Sequence, residues 1–104
     1  MSFWKGVEDI FNQGVSISKE AFDKAKEKAK ELGDKGVIKL EITQLEREAS
    51  KKSLELGRKV YELLVKEGKN TVSKSTPGIK DLIEDLKDLE ARVDKKEKEL
   101  KKLQ

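Results

Sequence analysis

Residues 38–63 read IKLEITQLEREASKKSLELGRKVYEL, and within them Ile38, Ile42, Leu45, Ala49, Leu56, Val60 and Leu63 recur at alternating steps of four and three. Such steps return a side chain to one face of an α-helix, whereas a half-buried strand would need alternation at every second position. The stretch is a helix with one buried seam, interrupted once where Lys52 or Ser53 falls in it. Leu40, Leu54, Tyr61, Leu64 and Val65 lie off the seam, so this helix is expected to be central and to touch more than one neighbour. Ala49, Ser53 and Gly57 at four-residue steps add a strip of small side chains. Close approach of another backbone is one reading of that strip, and a ligand groove is the other.

Downstream, Leu82, Leu86, Leu89, Val93, Lys96, Leu100 and Leu103 keep coiled-coil spacing, with Ile79 and Ile83 widening the stripe near its start. Lys52 and Lys96 place charge in the two seams, and the expectation is that they set register rather than bind anything, because misaligned pairings would bury them. Residues 79–90 carry a net charge of −3 and residues 91–104 one of +3. That order complements a helix dipole, and it also suits antiparallel pairing with another copy.

Upstream, four of the five aromatics, Phe3, Trp4, Phe11 and Phe22, fall in the first 22 residues, with Val7, Ile10, Val15 and Ile17 between them. A face that apolar must be covered by the rest of the chain, by a second subunit or by a lipid surface. Residues 1–17 hold only Lys5 against Glu8 and Asp9, which argues against anionic headgroups. Packing on protein is therefore the preferred reading and a membrane surface the lesser one. Ala21, Ala25 and Ala29 among Lys24, Lys26, Lys28 and Lys30 then make a slim helix that can sit close to a neighbour.

Two breaks divide the chain. Gly33 and Gly36 flank Asp34, where a glycine C-cap followed by an aspartate N-cap ends one helix and begins another; a single kinked rod is the alternative. Residues 68–78 are polar and unperiodic, with Thr76 expected to cap a helix beginning at Pro77. Of the 104 residues, 55 are Ala, Glu, Lys, Leu or Arg, with one proline, a composition that belongs to long helices or coiled coils. The expected fold is all-α, a single domain over 1–104. It has three long helices at about 3–33, 35–67 and 77–103 and a loop at 69–76. They form an antiparallel helical bundle or coiled coil that is expected to be completed by oligomerisation, as a dimer, because 28 Leu, Ile, Val and Phe spread over such lengths cover a monomer thinly.

The chain has no Cys and no His, which removes thiolate nucleophiles, disulfides, Cys/His zinc sites and the usual neutral-pH proton shuttle. No enzymatic activity, cofactor or metal is expected. The net charge is +3 with a pI near 9.0, yet lysines alternate with acids and no segment forms the dense basic face that nucleic acid requires. Gly68-Lys69-Asn70-Thr71 fails as a phosphate loop, since Leu63 stands where the upstream glycine belongs. No apolar run approaches the length of a membrane span and the amino terminus lacks signal-peptide order, so a cytoplasmic location is expected.

The Met-Ser-Phe-Trp start, the Lys/Ala-rich stretch, the run from Ile38 to Glu46 and the run from Leu56 to Leu63 together resemble small bacterial helical proteins that often end in a zinc ribbon. The likeness spans about residues 1–65, and Pro77 to Ile83 resembles the helical tail of some members. It implies a helical core without an assigned activity, and without cysteine any metal role falls away. The function expected is that of a scaffold, adaptor or assembly subunit working through helix packing, with itself or another helical protein as partner. Phe3, Trp4, Val7, Ile10, Phe11, Leu86, Leu89, Val93 and Leu100 are its candidate interaction residues. A peripheral membrane protein using the aromatic first helix is the alternative.

Overall fold

The computed structural model describes residues 2–13 and 19–103, and all regular structure in them is helical. Four helices, α1 (Ser2–Gln13), α2 (Lys19–Glu31), α3 (Asp34–Tyr61) and α4 (Lys80–Lys102), pack together. The molecule measures 53 × 27 × 19 Å with a radius of gyration of 16.3 Å, against about 13 Å for a compact domain of this length.

The spine is the hairpin of α3 and α4, run antiparallel so that Glu41 meets Lys96 near one end and Lys52 meets Asp85 further along. The seams read from sequence close on each other: Leu45 and Ala49 of α3 pack with Leu86, Leu89 and Val93 of α4. Ala49 and Val93 are wholly buried. Phe3 and Val7 of α1 complete that cluster, with Ile42 and Leu56 packed at its margin.

The single helix expected over 3–33 is replaced by α1 and α2; residues 14–18, with Val15 and Ile17, lie outside the described residues. Geometry excludes one straight rod. Gly6 lies against Glu46 and Phe11 beside Ser53 and Gly57, so α1 advances in the same direction as α3. Continuing straight would carry Ala29 about 27 Å beyond Phe11. Ala29 sits instead at the opposite end of α3, where its carbonyl and the Leu32 side chain crowd Gly36 so closely that a Cβ there would not fit.

The break between α2 and α3 is real, although its cap differs from expectation. Gly33, at φ 84°, is the N-cap and Asp34 the first helical residue; only a residue tolerant of positive φ turns the chain there. At the far end α3 finishes in one widened turn over Glu62–Lys66, in which the Glu67 N–H donates to the Glu62 carbonyl at 2.9 Å. Gly68, at φ 68°, then lets the Lys69 N–H reach the Leu63 carbonyl at 3.0 Å. The connection to α4 runs longer than expected, because Pro77 and Gly78 form a turn and the helix starts at Lys80. Thr76 does not cap α4 with its side chain: its Oγ1 accepts from the Ser73 N–H at 2.8 Å, while its carbonyl accepts from Ile79 and Lys80.

Candidate interaction surface

Beyond the α3–α4 seam, a second stripe runs along α3. Leu54, Gly57, Tyr61 and Leu64 follow steps of three, four and three, the spacing of a coiled-coil seam. Leu54, Tyr61 and Leu64 are exposed, as is Val65 beside them. Scattered apolar side chains on a surface are ordinary, but a contiguous line of them is a feature of binding faces.

Along this stripe lies an open groove of about 740 Å³ whose walls include Phe11, Leu54 and Tyr61 and whose floor passes over Ser53 and Gly57. Phe11, 55% exposed, comes from the end of α1. Arg58, Glu62 and Lys66 rim it at successive turns of one helix face. A Cβ built on Gly57 meets nothing within 4 Å, so the glycine leaves a gap in the stripe rather than a packed contact. The small-residue strip read from sequence thus changes character along its length: Ala49 is sealed in the core, and Gly57 opens to the groove.

The nine candidate interaction residues separate into three sets. Phe3, Val7, Ile10, Leu86, Leu89 and Val93 are buried within this chain, Leu100 is half-buried, and Trp4 and Phe11 remain exposed. The first helix therefore turns its main apolar face onto α3 and α4 of its own chain. Trp4 lies edge-on to Phe3 with ring centroids 5.0 Å apart, which leaves 42% of the residue exposed. Tyr61, Leu64, Leu54 and Gly57 were visible in the sequence as off-seam or small residues, but nothing there said which neighbour would fail to cover them.

The charged feature of note is Glu46. Its carboxylate lies directly against Gly6 of α1, in the space a β-carbon would take. Burial first, then the nearby Glu97 of α4 and Asp9 of α1, raise its carboxyl to about 7. Three acids from three helices thus converge where α1 docks. Among the described residues, no group of three or more His, Cys, Asp or Glu is placed to hold a metal ion. No described helix is long and apolar enough to cross a membrane. Comparison with protein-family models, with curated proteins and with solved structures returns no match for this chain.

Proposed function

We propose that this chain is a non-enzymatic helical interaction module, a scaffold, adaptor or assembly subunit that recognises its partner by helix packing. The observation that carries this reading is the uncovered seam Leu54, Gly57, Tyr61 and Leu64, walled by Phe11 and rimmed by charge. A helix laid in such a seam gains the area of its apolar face and finds polar groups at the edges, which is the mode of helix-in-groove recognition. The same folding that exposes this stripe weighs against a lipid-facing first helix, since Phe3, Val7 and Ile10 are spent on the chain's own core.

A photo-crosslinking amino acid placed at Tyr61 in the native cell tests the reading, with Glu84, exposed on the outer face of α4, as control. Protein adducts from position 61 and none from 84 are expected. Lipid adducts, or none at all at 61, would remove it.

A further inference from the structure

We propose that the occupant of the exposed seam is the same seam of a second copy of this chain, the two α3 helices packing antiparallel about a two-fold axis near residue 59. The inference rests on the interaction-module reading and names its partner. In an antiparallel pair the layers match the two seam positions against each other, which sets Tyr61 over the second copy's Gly57 and Leu54 over the second copy's Leu64, each layer occurring twice. The one gap in the stripe, where a Gly57 Cβ would face open space, then receives its largest side chain. Parallel pairing would put Gly57 on Gly57 and leave the void.

Charge selects the same arrangement. Arg58 and Glu62 lie one turn apart on the rim, so the two-fold brings Arg58 of each copy within reach of Glu62 of the other, whereas parallel packing sets Arg58 against the uncharged Ser53 of the other copy. Surface area is also in surplus. The chain exposes 7570 Å² for 11.8 kDa, against about 5,900 Å² for a globular monomer of that mass. The difference of about 1,600 Å² exceeds the roughly 800 Å² that each partner of a specific complex buries.

Sedimentation equilibrium of the full chain from micromolar to millimolar concentration should give a monomer–dimer equilibrium. Gly57→Leu should weaken it by about tenfold or more, with helical circular dichroism unchanged because the added side chain points into open space. Arg58→Glu and Glu62→Arg should each weaken dimerisation, and the double reversal should restore it. The cysteine-free sequence allows orientation to be read directly. Leu54→Cys mixed with Leu64→Cys should give a hetero-disulfide, and Leu54→Cys alone should not, its sulfurs being about 15 Å apart along the pair. A monomer at every concentration, a Gly57→Leu dimer as tight as the native one, or preferential 54–54 crosslinking would overturn the proposal. Adducts at Tyr61 to a different protein, together with a monomeric chain, would retain the interaction module and discard the second copy.

Discussion

Lys96 Nζ donates to Glu41 Oε2 at 2.7 Å across the α3–α4 interface, and eleven residues along each helix Lys52 and Asp85 meet at 3.3 Å. Eleven residues are about three turns, so the two ion pairs lie on one side of the hairpin and fix the same stagger. A slip of one residue breaks both. The lysines that interrupt the two seams are not fully buried charges: both side chains stay partly exposed, and their ammonium groups reach an acid on the opposite helix.

Because Lys96 and Glu41 keep 29% and 35% of their side chains exposed, the pair is worth at most about 1 kcal/mol. Glu41→Lys should lower stability by about that amount, and adding Lys96→Glu should recover most of it in thermal melts; no recovery would mean the pair is not coupled. The hydrogen bond from Glu41 is the main cause that raises the Lys96 pKa above its ordinary 10.5. A raised lysine stabilises fully below its unfolded value, so this contribution persists at neutral pH and disappears only as the medium becomes alkaline beyond about 10.5.

Phe3, rather than Trp4, should hold α1 in place. Phe3 is 2% exposed and Trp4 42%, and truncating a buried phenylalanine costs about 3–5 kcal/mol. Phe3→Ala should therefore release α1 and red-shift the Trp4 emission, while Trp4→Ala should leave the fold of α3 and α4 and most of the stability intact. Equal losses from the two variants would show that the docking is shared between both rings.

The helix faces were readable from sequence because the 3.6-residue period is written in side-chain polarity: Leu45, Ala49, Leu86, Leu89 and Val93 were picked out by spacing and are the core. The separation of α1 from α2 is signalled in the sequence, since Gly14 follows α1 and Ser18 precedes α2, but the apolar rhythm of Val15, Ile17 and Phe22 continues across these breaker and cap residues and hides the break from a reading by spacing. Nor does the spacing show the widened turn at Glu62–Lys66, although it does place Leu63 inward and Leu64 and Val65 off the seam, as found. The groove lies beside that turn. Its residues were visible as off-seam apolar positions; their lack of cover depends on where α1 and α2 end, a tertiary fact.

Glu46 should make this protein more stable in mild acid than at neutral pH. Its carboxyl is raised to about 7 by burial against α1, by Glu97 and by Asp9, so the fold favours the protonated form. Below about 4.5 both folded and unfolded chains hold the proton and no cost arises. Between about 4.5 and 7 the unfolded chain gives it up first and stability falls; above 7 the cost is complete. Glu46→Gln should flatten this slope, raising the melting temperature at pH 8 and leaving it nearly unchanged at pH 4. An identical pH slope in the variant would assign the effect to other groups.

The same substitution at two helical glycines should have opposite signs. At Gly57 a Cβ enters open space and φ is not positive, so Gly57→Ala gains helix propensity of about 1 kcal/mol, measured in dilute solution where the chain is on its own. At Gly6 a Cβ would occupy the position of the Glu46 carboxylate, and moving that group brings it against Asp9 or Glu97, so overpacking of about 1–3 kcal/mol outweighs the propensity gain. The two effects separate in a double-mutant cycle. In a Glu46→Ala background the obstruction is gone, and Gly6→Ala should turn from destabilising to neutral or better. If Gly6→Ala remained equally harmful without the glutamate side chain, the constraint would lie in the close approach of the α1 and α3 backbones, and Glu46 would have no part in seating α1.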